Sequence, residues 1–65
     1  METKRERFLR LANSRTNRIL KMIRLLSNLS NKSNYDYNDL DVQKIFKAIE
    51  SEIKSAKNMF YISND

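Results

Sequence analysis

The chain contains no cysteine, no histidine, no glycine, no proline and no tryptophan in 65 residues. Each absence removes a class of explanation. Without cysteine there is no disulfide framework, and without cysteine or histidine the usual ligands of a structural metal are gone, so a chain of this size has neither of the common staples for a marginal core. The same two absences take away the commonest general base and the strongest nucleophile, and the reading is therefore a non-enzymatic protein with no catalytic residues. No phosphate-cradling glycine loop is possible. No apolar run reaches the length of a membrane span, and METKRERF places charge where a signal peptide needs an apolar block. A soluble, cytoplasmic protein of one domain follows, one that gains stability from self-association or from a larger partner.

What is present is charge, and it is unevenly distributed. Residues 1–34 hold nine Lys/Arg against Glu2 and Glu6, whereas residues 35–65 hold four Lys against six acids. The net values are +7 and −2, which together make the +5 of the chain. An asymmetry of that kind points to a polyanion-facing surface on the N-terminal segment, nucleic acid being the usual one.

Apolar periodicity then sets the fold. Phe8, Ala12, Ile19, Met22, Leu26 and Leu29, with Arg15 among them, follow at steps of three and four, the spacing of one face of an α-helix. Leu9, Leu11, Leu20, Ile23 and Leu25 widen that face beyond a strict two-stranded coiled coil and suit a bundle. A second stripe runs through Val42, Ile45, Phe46, Ile49, Ile53, Ala56 and Phe60. The expected fold is all-α: an antiparallel helical hairpin, with helix one over about residues 3–30, a connector over about 28–38 and helix two over about 39–61. A homodimer or docking on a larger protein would complete the bundle. Two alternatives attach to the polar stretch Asn13 to Asn17, which includes SRTN at residues 14–17: the first helix either continues through it or breaks there to leave a short third helix. Arg15 either snorkels from the apolar face or pairs with Glu50, Glu52 or a partner's carboxylate.

Opposite the first apolar stripe lie Arg7, Arg10, Ser14, Asn17, Lys21, Arg24 and Asn28, with no acid among them. A face shaped for solubility alone would mix signs, so this one reads as a nucleic-acid-binding face, with Arg5, Arg18 and Lys32 able to extend it. Plain solvation is the competing account.

Between the helices, NLSNKSNYDYND invites two readings. Asparagine tolerates the left-handed conformation, so Asn28, Asn31 or Asn34 can end the first helix, and Asn38 or Asp39 can cap the second with Asp41 in its first turn. Tyr35 and Tyr37, with Asn31, Asn34 and Lys32 nearby, can instead stack on bases or anchor a protein partner. DYNDLD fails as an EF-hand, since Leu40, Asp41 and Lys47 stand where a ligand, the glycine and the bidentate acid belong. Neither cofactor nor metal is expected, and Glu50 with Lys54 offers a helix-stabilising pair.

The run RTNRILKMIRLLSNLSNKSNYDYNDLDVQKIFKAIESEI, residues 15–53, resembles small basic helical proteins encoded on mobile genetic elements of Gram-positive bacteria. Leu29, Ser30, Asn31, Ser33, Asn34, Tyr35 and Tyr37 match the central block of that group. Some of its members accompany cassette-chromosome DNA-processing proteins, including an A-family DNA polymerase. The resemblance implies an accessory role on element DNA, with DNA favoured over RNA as ligand, and no catalytic residues. The alternative function is a protein-interaction module, whether subunit, adaptor or inhibitor, docking through its apolar stripe and the Tyr35/Tyr37 connector. A helix-turn-helix regulator and a membrane-surface helix fit less well, the first because helix one is long and the second because its boundaries lack tryptophan.

Overall fold

The computed structural model describes residues 1–62. It is all-α: α1 spans Lys4–Ser27, a short 3-10 turn covers Asn28–Ser30, and α2 spans Asp39–Ile62. The chain divides into two compact units, Met1–Tyr35 and the stretch from Asp36 onward, each organised around one helix. Each helix has 24 residues, about 36 Å at 1.5 Å per residue and well past the length at which helix nucleation is repaid by propagation.

Both helices begin in the same way. Thr3 precedes α1 with extended backbone, its hydroxyl oxygen accepts the Glu6 N–H at 3.0 Å, and Glu6 Oε1 accepts the Thr3 N–H at 3.0 Å. Asn38 and Asp41 repeat this reciprocal pair before α2: Asn38 Oδ1 accepts the Asp41 N–H at 2.9 Å, and Asp41 Oδ2 accepts the Asn38 N–H at 3.0 Å. Two amide hydrogens that the helix leaves unpaired are satisfied at each start. The expected alternative of Asp39 as the cap is thereby resolved in favour of Asn38.

The end of α1 departs from expectation. No described residue has positive φ, so no asparagine takes the left-handed position. Asn28 stays right-handed at φ −65°, the helix tightens into the 3-10 turn, and the chain leaves it through Asn31 at φ −74°, ψ 100°. Three-residue hydrogen bonding at a helix end satisfies the last carbonyls without the steric cost of a left-handed β-carbon. Asn31 then builds the next turn, its Oδ1 accepting the Ser33 N–H and its carbonyl accepting the Asn34 and Tyr35 N–H groups.

SRTN does not interrupt α1, which runs through it without a break. Leucine, arginine, lysine and methionine on either side are good helix formers, and no proline or glycine is present to overrule them. The expected Glu50–Lys54 ion pair is not formed, and Arg15 is exposed without an ion pair among the described residues. Position at the end of the chain leads one to expect fraying over residues 62–65; Ile62 is the last residue of α2, and Ser63, Asn64 and Asp65 lie outside the described residues.

The least exposed residues of α1 are Leu11, Ala12 and Leu26, and those of α2 are Val42 and Ile49. All lie on or beside the predicted apolar stripes. None of the described residues is buried, and Ile19, Met22 and Phe60 expose 56 %, 62 % and 61 % of their surface. Each helix thus presents an apolar face that its own unit does not cover.

Candidate nucleic-acid interface

Continuity of α1 from Lys4 to Ser27 makes the cationic row a physical surface. With 3.6 residues per turn, Arg7, Arg10, Ser14, Asn17, Lys21 and Arg24 lie along one side of an unbroken rod, and Arg7 and Arg24 are about 26 Å apart along its axis. Arg18, three residues before Lys21, joins the row on its flank. Arg5, two residues before Arg7, points to the other side of the helix and does not extend it. Asn28, at the end of the row, is the C-cap, its N–H shared among the carbonyls of Arg24, Leu25 and Leu26. Arg24 also stands in the last turn, where a cation complements the negative end of the helix dipole.

The N-terminal end of the row is not free. Glu2 folds back over the first turns of α1 and takes the Arg10 guanidinium in a two-point grip, Nε to Oε2 at 2.7 Å and Nη2 to Oε1 at 3.1 Å. Arg7 Nε lies 3.9 Å from the same carboxylate. The Glu2 contact pushes the Arg10 pKa further up, because the charged form is the one hydrogen-bonded. The expectation of a row without acids needs correcting: Glu6, four residues before Arg10 and five full turns before Arg24, lies on the row's own side of α1, where its carboxylate accepts the Thr3 N–H, and Glu2 from outside the helix covers the same end. The two-point grip has the fork geometry with which arginine holds a phosphate, so Glu2 occupies the position such a ligand would take at Arg10.

Arg18, Lys21 and Arg24 form no ion pair among the described residues, and all three are exposed. Within the row, the cations without an ion pair among the described residues are therefore at the C-terminal half of α1, with Ser14 and Asn17 as exposed neutral donors between the two halves. Lys32 follows in the connector and is exposed.

Glu2 is the functional candidate that periodicity did not find. Its signal was nonetheless in the chain, since Thr3-x-x-Glu6 is a capping-box pattern, and a cap at Thr3 sets Glu2 directly against the first helical turns. Glu6, by contrast, is committed to the cap. Its pKa is lowered by the Thr3 backbone N–H first and by the Thr3 side chain second.

The residues considered for partner binding separate. Asn31 spends its side-chain oxygen and its carbonyl on the turn. Tyr35 closes the first unit with 47 % of its surface exposed, and Asn34 is exposed beside it. Tyr37 belongs to the second unit and is half-buried. Asp41, the last residue of DYNDLD, is engaged by the Asn38 cap, and no three acidic side chains converge among the described residues.

These features define a class, an all-α chain of two box-capped amphipathic helices of which the first carries a cationic face. Comparison with protein-family models, curated proteins and solved structures finds no match. Among the described residues no helix is long and apolar enough to cross a membrane.

Proposed function

We propose that this chain is a small non-enzymatic accessory protein that binds nucleic acid through the cationic face of α1. The observation that carries the reading is the unbroken row on α1 in which Arg18, Lys21 and Arg24 have no carboxylate partner among the described residues. Phosphates supply the opposite charge in a regular array, and contacts of this kind give affinity with little sequence information. Ser14 and Asn17 add neutral hydrogen bonds to phosphate or sugar. Arg7 and Arg10 enter the contact only when Glu2 is displaced, so the C-terminal half of the helix makes the first encounter. The resemblance of residues 15–53 to proteins of mobile genetic elements supports DNA as the ligand and accessory work on element DNA as the setting.

Fluorescence anisotropy with a labelled DNA duplex and a labelled single strand, each over a salt series, tests the reading. Affinity should fall linearly on a log–log plot, with a slope of about −0.9 per phosphate neutralised for duplex and about −0.7 for a single strand. Binding indifferent to salt, or absent at low salt, rules it out.

A further inference from the structure

The apolar faces of the two helices carry opposite charge along their edges. On α1 the face itself contains Arg15, with Arg5, three residues before Phe8, at one edge and Arg18, four before Met22, at the other. No acid adjoins it, because Glu6 lies round the far side of the helix. On α2 Glu50, four residues after Phe46, lies along one edge, and Glu52, three after Ile49, lies along the other. Lys44, Lys47 and Lys54 are turned away from that face, and Lys57 alone interrupts its acidic borders.

Register adds a second match. Both helices have 24 residues; Arg15 is the twelfth of α1 and Glu50 the twelfth of α2, with Glu52 two further on. An α1 and an α2 laid side by side over their full lengths bring Arg15 next to Glu50 and Glu52 whichever way the helices run. Pairing like with like would set Arg15 against another Arg15, and Glu52 against another Glu52. Edge charges choose partners in helix bundles in this way, by penalising the wrong pairing as much as by favouring the right one.

We propose that the occupant of these faces is a second copy of the chain, the α1 face of one copy lying on the α2 face of the other with Arg15 between the partner copy's Glu50 and Glu52. Width argues for a copy rather than a single docked helix. The apolar surface of α1 extends from Leu25 on one flank to Leu20 on the other, both exposed, and one helix contacts only a seam of such a surface. Two copies supply four helices and give every face a neighbour of opposite edge charge. Arg10, Asn17, Lys21 and Arg24, on the opposite side of α1, stay outside, while Arg18 stands at the border between the two surfaces. The assembly does not depend on the nucleic-acid reading.

The test is light scattering across a concentration series on three proteins: the native chain, Arg15→Glu, and the double variant Glu50→Lys/Glu52→Lys. Circular dichroism on each sample reads helix content alongside the mass. The native chain should have twice the 7.8 kDa chain mass. Each variant alone should dissociate at a concentration at least tenfold higher, and an equimolar mixture of the two should recover the native stability as a heterodimer. A native chain that stays monomeric at every concentration overturns the proposal, as do variants that associate as tightly as the native chain or a mixture that recovers nothing. Loss of helix in a variant alone that returns on mixing supports it.

Discussion

α1 and α2 are alike in everything that makes a helix and unlike in what they offer to a ligand. Both have 24 residues, both start on a reciprocal capping pair, and both carry one apolar face. Yet α1 turns cations outward with only Glu6 as an internal acid, while α2 interleaves Asp39, Asp41, Glu50 and Glu52 with four lysines. The difference teaches that the outward charge of α1 is not a requirement of helix formation, since α2 achieves the same length and capping without it. A feature that folding does not need is the better candidate for binding.

The sharpest way to break that comparison is charge reversal on each helix in turn. Lys21→Glu/Arg24→Glu should weaken nucleic-acid binding by at least tenfold, about 1.4 kcal/mol, and reduce the salt slope by about two. Lys44→Glu/Lys54→Glu on α2 should change both by much less. Equal losses from the two pairs, read by anisotropy, would mean that net charge rather than the α1 face binds.

The two caps sharpen the likeness. Thr3→Ala and Asn38→Ala should each cost about 1 kcal/mol, seen as lower helicity and a lower thermal midpoint by circular dichroism. A loss from one and none from the other would show that the two helix starts are not equivalent.

Next comes the Glu2 grip. Glu2→Gln keeps the side chain's size and removes its charge, so Arg7 and Arg10 become available to phosphate. Affinity should rise about two- to fivefold, the modest gain appropriate to an exposed ion pair, and the salt slope should steepen. An unchanged affinity would exclude Glu2 as a competitor.

The smallest effect is on pH. Glu6 has a folded pKa below its ordinary 4.5, so its contribution to stability is fully present above that value and is lost as pH falls through the lowered folded one. Acid titration of helicity should show this loss in the native chain and not in Glu6→Gln, which keeps a side-chain oxygen to accept the Thr3 N–H but does not titrate. Identical acid limbs would contradict the cap as the cause.

Much of the molecule is legible in its sequence because it is local. Phe8 to Leu26 and Val42 to Phe60 repeat at helical spacing, and that spacing defines two rods and their apolar and polar sides without reference to anything distant. The cationic row was legible for the same reason. What was not legible were choices between nearly equal local solutions. Asn38 and Asp39 are both good caps, and the pairing with Asp41 decides between them. Asn28 can adopt a left-handed or a right-handed backbone, and the 3-10 turn offered the end of α1 its hydrogen bonds without the former. SRTN is polar enough to suggest a break, but polar side chains that face water do not interrupt the backbone ladder.

By itself, then, the sequence determined the all-α class, the two amphipathic rods and the sign of charge on the outer side of α1, because periodicity and propensity act within a few residues. Only the folded structure decided which residue caps α2, how α1 ends, and that Glu2 grips Arg10 while Lys21 and Arg24 form no ion pair among the described residues. Those outcomes depend on which donor and acceptor atoms a particular backbone path brings within about 3 Å, and that distance exists only once the chain has taken its shape.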